Sequence, residues 1–380
     1  MDTLIRHQET GLCRVQQKGL EPEVEHVQNR NGRVMSLIRH SYRNYNEFLS
    51  IRRKLQGIGD QHTFRLGASD VAKTYQKGGK IGLDDYSSPT VFFYEACEFH
   101  RMKKADVKTL PMIRGQIHET VNYKNYWRFF DPNDQSPETF IENRDKNNVI
   151  RTAKNCHEII LNPKYPWLFM SQDYVFPKNK YTPRGPLELK SLSSMESDKY
   201  EATVAEKYVI QTHDQMLIGG YQYGELFDVQ NQTTPRLFQF EVDKEIQERI
   251  IESSHDFWLR VLKGKAIVYS TIPELEKEQM LAELAPDDQG SPLYTDYLKE
   301  RHKPENAKVT VDGDDEMFQL ACDYLVLKSD KKVIEGKLLE KENKIREYFR
   351  DTNIGTFQFP TGKINWIQNL SVQEKILGNA

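Results

Sequence analysis

Gly185-Pro186-Leu187-Glu188-Leu189-Lys190-Ser191-Leu192 is the stretch on which the reading of this chain turns. Its side chains alternate in character from Leu187 onward, a period of two that predicts a strand with successive residues on opposite faces. Glu188 and Lys190 then share one face and Leu189 takes the other. Fourteen residues separate Asp173 from Glu188, and Asp173 lies in a second strand-like run, 167–176. A tight hairpin joining the two runs brings Asp173 beside Glu188.

Two carboxylates held together are poor neighbours unless a cation sits between them, and oxygen donors suit Mg²⁺ or Mn²⁺. Such an ion holds a phosphate oxygen and lowers the pKa of a bound water. Lys190, beside it, is placed to orient the nucleophile and neutralise charge developing on the phosphoryl group. Taken alone, an acid-x-Lys tripeptide reads more readily as a surface ion pair on a solvated strand, so the context decides. Upstream, Thr109-Leu110-Pro111 opens a predicted helix running through Tyr126, with Glu119 at its middle, where it could aim a third carboxylate at the site. Downstream, residues 200–218 read as a helix on which Gln211 and Gln215, four apart, share a face.

Farther out, 45–55 and a segment opening at Ser88-Pro89 read as helices. Ser69 is expected to cap another. Runs 156–161, 221–230 and 236–242 read as strands. Residues 1–44 read as an irregular polar arm. Helix resumes at 244–263 and again at 316–350, where Met317, Leu320, Tyr324, Leu327, Ile334 and Leu338 form a stripe that Lys331 interrupts, so a long coiled coil is not expected. The expected architecture is α/β, a mixed sheet flanked by helices over 45–243, followed by a mostly helical region over 244–380.

Composition narrows the classes. At 38% hydrophobic and 29% charged residues the chain reads as a soluble, folded protein, and no apolar run approaches a membrane span. It is expected in the cytoplasm. Four scattered cysteines, Cys13, Cys97, Cys156 and Cys322, support neither a zinc ribbon nor an iron–sulfur cluster. A net charge of −3 argues mildly against nucleic acid, although a local basic stretch from Arg101 to Arg128 would suffice to contact phosphates. Lys77-Gly78-Gly79-Lys80 lacks the Walker A spacing, His118-Glu119 lacks the second zincin histidine, and 312–316 lacks EF-hand spacing.

Five pieces taken in order resemble the YqaJ-type viral recombinases, related to lambda exonuclease, within the PD-(D/E)xK nucleases: Arg65 to Asp70 (R…GASD), Arg114 to Glu119 (RGxxxE), Asp173, Glu188-Leu189-Lys190, and Tyr208 to Met216 (YxxQxxxQM). The resemblance spans roughly 45–370, with Gly362-Lys363-Ile364-Asn365-Trp366 similar to the family's tail. It implies a PD-(D/E)xK core and Mg²⁺- or Mn²⁺-dependent hydrolysis of DNA, most naturally as an exonuclease acting on duplex ends in phage-type recombination. Asp173 and Glu188 would bind the metal, with the Leu189 carbonyl and Glu119 as further ligands. Lys190 would be the catalytic lysine and Gln211 would lie close by. Arg65 or Arg53, with Ser69, would grip a 5′-terminal phosphate, and Arg114 and Gln215 would contact DNA. A single-strand annealing protein is the implied partner and a homo-oligomer the implied assembly. Two other readings stay open: an endonuclease of the same fold in defence or mobile-element processing, and an inactive DNA-binding scaffold. Residues 265–312 match nothing in the resemblance.

Overall fold

Strands in the first part of the chain come from short β-branched and aromatic runs punctuated by Gly, Pro and Asn. The computed structural model describes residues 22–28, 34–77, 80–82, 88–99, 121–126 except Lys124, 154–155, 158–176, 185–192, 204–230, 234–287, 291–301, 314–352, 356–359, 362–365 and 371–372. The strands are β1 (Glu23–Gln28), β2 (Val34–Ser41), β3 (Leu66–Gly67), β4 (Gln76–Lys77), β5 (Lys80–Ile81), β6 (Lys154–Asn155), β7 (Glu158–Leu161), β8 (Leu168–Ser171), β9 (Tyr174–Phe176), β10 (Gly185–Leu192), β11 (Tyr223–Gln230), β12 (Thr234–Glu241), β13 (Thr356–Phe359), β14 (Gly362–Asn365) and β15 (Ser371–Val372). The helices are α1 (Tyr45–Leu55), α2 (Ala68–Val71), α3 (Pro89–Ala96), α4 (Glu206–Gly219), α5 (Lys244–Val268), α6 (Glu274–Leu284), α7 (Pro292–Arg301) and α8 (Asp315–Thr352).

Contacts divide the chain into two units, 1–303 and 304–380. The first holds two five-stranded sheets, ordered β1-β2-β7-β8-β3 and β12-β11-β10-β9-β6, so the architecture is mixed α/β. Helix α4 packs against β7 and β8 of one sheet and β10 and β11 of the other. Everything from Ile210 to Gly219 is buried, polar residues included, which makes α4 the pivot of the fold. It is also the crossover between β10 and β11, which pair in parallel and so need a long connection. Gly220 closes it in the left-handed region (φ 66°), where a side chain would be strained.

Local chemistry sets the other helix starts. Asn44 and Ser88 cap α1 and α3 by accepting from Glu47 and Val91 N–H, and Asp243 caps α5 by accepting from Glu245 and Ile246 N–H. The α5–α7 region is part of the first unit and packs on its N-terminal elements. Trp258 donates its indole N–H to Phe64 O (2.9 Å), and fully buried Lys265 donates to Gly57 O, Asp60 O and Glu98 Oε1. Leu281 of α6 and Tyr297 of α7, from the stretch that resembles nothing, join the same core, with Tyr297 stacked on Tyr94 at 5.2 Å.

Three expectations change. The supposed arm supplies β1 and β2, which extend the first sheet because β2 pairs with β7 and buries Leu37, and Arg39 ties the three strands together by pairing with Glu25 and Glu158. Ser69 caps nothing: α2 is four residues long and its N-cap is Gly67. Gly362 to Asn365, inside the region expected to be mostly helical, is strand β14, paired with β13 and β15. Among the described residues no helix is long and apolar enough to cross a membrane.

Candidate active site

The two faces of β10 do different jobs. Leu187 and Leu189 enter a cluster with Tyr126, Tyr174, Phe227 and Val229. Glu188 and Lys190, on the other face, meet α4. Glu188 is almost fully buried, 3% exposed, and a buried carboxylate must be compensated. Its Oε1 accepts from Lys190 Nζ at 2.5 Å and Gln211 Nε2 at 2.7 Å, and its Oε2 accepts from Gln215 Nε2 at 2.7 Å. The i, i+4 spacing of the glutamines lets one helix face hold both oxygens.

Asp173 lies in the two-residue break between β8 and β9. The antiparallel ladder of β9 with β10 ends at Tyr174 opposite Leu187. Beyond it, Asp173 Oδ2 accepts the Leu189 N–H at 2.9 Å, so this carboxylate is pinned to the backbone just past Glu188. Burial works against the charge on Lys190, but Glu188 and Asp173 outweigh it and raise its pKa above the usual lysine value. Its ammonium also lies 5.1 Å from the centre of the Tyr208 ring. Lys190 is therefore a fixed cation facing two carboxylates.

Other expected residues fall differently. Glu119 and Arg114 lie outside the described residues. Asn122, three positions after Glu119, donates to Lys190 O (3.1 Å) and Ser191 Oγ (2.7 Å), which anchors that helical segment to β10. Gln215 is fully buried and committed to Glu188 and Ser171 O, so it braces the site instead of reaching DNA. Arg65 donates to Pro166 O at 2.9 Å and Arg53 is exposed on α1; neither meets Ser69. The arginine that does is Arg52, which contacts Ser69 Oγ at 3.4 Å and Asp70 Oδ2 at 2.9 Å. Lys73 takes the other Asp70 oxygen at 2.7 Å. Burial pushes the Asp70 carboxyl up, but Lys73 and Arg52 more than reverse this and hold it below the usual carboxylate range.

One pair escaped the sequence reading. Asp228 is the register partner of Lys190 across β10 and β11, is fully buried, and meets Arg236 of β12 through two bonds, 2.9 and 2.6 Å. Adjacent residues of paired strands point to one side, so this bidentate pair borders Lys190 on the face that carries Glu188. Alternation in 223–230 was the signal available, but the pairing partner of β11 was not.

The family comparison agrees with the resemblance. The family described as YqaJ-like viral recombinase domain matches residues 47–222. No curated protein matches the sequence. Among solved structures, an alkaline exonuclease from Laribacter hongkongensis aligns at 16% identity over 63% of this chain and 100% of that one, with a TM-score of 0.41. The same exonuclease in complex with dAMP aligns at 16% identity over 58% and 95%, with a TM-score of 0.38. The matched span runs from α1 through α4 and includes Asp173, Glu188, Lys190 and both glutamines: residues 47–222 of this chain are similar to the YqaJ-like viral recombinase domain family.

Proposed function

We propose that this protein is a divalent-metal-dependent deoxyribonuclease that digests duplex DNA from its ends. The observation that carries the reading is the clamping of buried Glu188 by Lys190, Gln211 and Gln215, with Asp173 pinned to the next backbone N–H. Neither fold nor stability needs a buried carboxylate held by three donors, since an apolar residue on β10 would pack there at lower cost.

The residues fit a hard cation. Asp173, Glu188 and the Leu189 carbonyl are all-oxygen donors of the type that binds Mg²⁺ or Mn²⁺, and the spot between the carboxylates already suits positive charge, which Lys190 supplies. Glu119 would complete the set. A bound metal ion supplies Lewis-acid polarisation of a phosphate oxygen and a water of lowered pKa. The chain's own groups do the rest. Gln211 and Gln215 fix the Glu188 carboxylate. Lys190, protonated throughout the physiological range, holds the attacking water by a hydrogen bond and offsets charge on the pentacovalent phosphorus.

End recognition takes a changed form. A four-residue α2 provides no useful dipole. The cations next to Ser69 are Arg52 and Lys73, each already engaged with Asp70, so a 5′ phosphate would have to compete with that carboxylate. The exonucleolytic mode and a role in phage-type recombination, with an annealing protein as partner, rest on the family. The test compares three substrates with and without Mg²⁺: linear duplex with a 5′ phosphate, the same duplex with a 5′ hydroxyl, and a covalently closed circle. The first should be degraded fastest and the circle should survive. Equal attack on the circle would establish the endonuclease reading, and no cleavage with any divalent ion would leave only a DNA-binding role.

A further inference from the structure

Helix α8 is 38 residues long, on the order of 57 Å, and carries an apolar stripe that nothing else among the described residues of its own unit covers. Met317, Leu320, Tyr324, Leu327, Ile334 and Leu338 are 58–68% exposed. They recur at alternating steps of three and four, the a and d positions of a heptad in which Met317 is a. Lys331 and Lys341 fill the remaining a and d positions of the stripe before Ile345. A helix that exposes such a seam requires a partner for it.

We propose that α8 joins two copies of this chain as an antiparallel two-stranded coiled coil, with its two-fold axis between Lys332 and Val333. The charge pattern selects this occupant and this direction. In a parallel, in-register pair, Asp323 would flank Lys328 and Lys337 would flank Glu342, but Asp330 would flank Glu335, and Lys331 would meet Lys331 and Lys341 would meet Lys341 in the seam. Running antiparallel, the same seam sets Leu320 against Ile345, Leu327 against Leu338, Lys331 against Ile334 and Tyr324 against Lys341. The lysine stems lie along apolar surface and their ammonium groups reach the edge, one of them beside the Tyr324 ring. On the flanks, Asp330 meets Lys337, Asp323 meets Lys344, and Lys328 meets Glu335, each twice by symmetry.

Sliding by one heptad destroys this match. In one direction Asp330 and Lys328 would each face their own copies, and in the other Lys337 and Glu335 would. Across 317–347 this register therefore pairs Asp323, Lys328, Asp330, Glu335, Lys337 and Lys344 with opposite charges and leaves only Glu342, opposite Ala321, without one. Self-complementarity of this kind is what a symmetric interface demands and a foreign partner does not. Covering the seam on both helices buries on the order of 1,200 Å², enough for a specific dimer. Phe318, Leu325 and Leu339 at b positions and Val326 and Val333 at c positions are exposed outside the seam.

The test uses the full-length chain and sedimentation equilibrium. Asp330→Lys, and separately Lys337→Asp, should each raise the dimer dissociation constant about tenfold, since two exposed ion pairs become repulsions. The charge-swapped double variant should restore it, with circular dichroism reporting that helix content is unchanged. In a Cys322→Ser background, Leu327→Cys combined with Leu338→Cys should cross-link two chains under mild oxidation, and Lys331→Cys alone should not. A chain that stays monomeric at tens of micromolar would overturn the proposal. So would cross-linking of Lys331→Cys, a double variant that fails to recover, or an oligomer indifferent to all of these changes.

Discussion

At the scale of single residues, charge compensation governs the site. Lys190 is held by Glu188 and by the field of Asp173, and among the described residues it is the cation in contact with Glu188. Lys190→Ala should lower the cleavage rate a few hundredfold, about 3–4 kcal/mol by analogy with losing one oxyanion donor, while DNA binding changes little. Single-turnover cleavage and a gel-shift titration measure the two, and cleavage at the original rate would remove Lys190 from the mechanism. Asp214 shows the opposite case. It is fully buried on α4, neither oxygen has a hydrogen-bond partner among the described residues, and burial pushes its carboxyl well above the ordinary carboxylate range. The unfolded chain therefore gives up this proton first. Stability is full below the unfolded value, about 3.9, and is lost as pH rises toward the raised folded value, at roughly 1.4 kcal/mol per unit of separation. Asp214→Asn abolishes this loss. Its melting temperature should exceed that of the unaltered protein at pH 8 and converge with it near pH 4; parallel curves would count against the assignment.

At the scale of elements, β10 is organised by what lies on each side of it. The same strand buries leucines against Tyr126 and presents Glu188 and Lys190 to α4, so a slip of one residue would exchange the two sets. Strand β11 fixes that register in parallel, and its Asp228 is neutralised by Arg236 from β12 among the described residues. Removing Arg236 strands a fully buried carboxylate. Arg236→Ala should cost about 3–5 kcal/mol in urea unfolding, whereas replacing both members with leucine should recover much of it. A cost below 1 kcal/mol would mean that water reaches Asp228. Element starts were the most legible part of the sequence, because Ser88-Pro89 and the run after Asp243 act within one helical turn. The arginine at Ser69 was not legible. Ile51 and Leu55 set the buried face of α1, and one step along a helix turns a side chain by about 100°, so Arg52 points to Asp70 and Arg53 points away.

At the scale of the whole molecule, the division at 303/304 has a consequence that can be measured. A chain ending at Lys303 retains both five-stranded sheets, α4 and every described site residue. It should fold cooperatively and cut DNA at close to the original rate per site while losing self-association. Loss of cleavage in a folded truncation would assign residues 304–380 a direct part in the chemistry.

What the sequence determined by itself was whatever depends on neighbours in the chain. Alternation along 185–192, the i, i+4 glutamines, the capped helices and the apolar stripe of α8 follow from fixed rises and periods that any chain with those residues must obey. These sufficed for the α/β class and for placing Glu188 with Lys190, and Gln211 with Gln215, on shared faces. The tertiary structure decided what depends on which distant segments meet. It made two strands of the N-terminal residues, turned Gln215 inward onto Glu188, chose Arg52 over Arg53 and Arg65, and set Asp228 beside Lys190. Each of these follows from strand register and helix rotation, which are fixed by burial of apolar faces contributed from far along the chain, and local spacing carries no record of them.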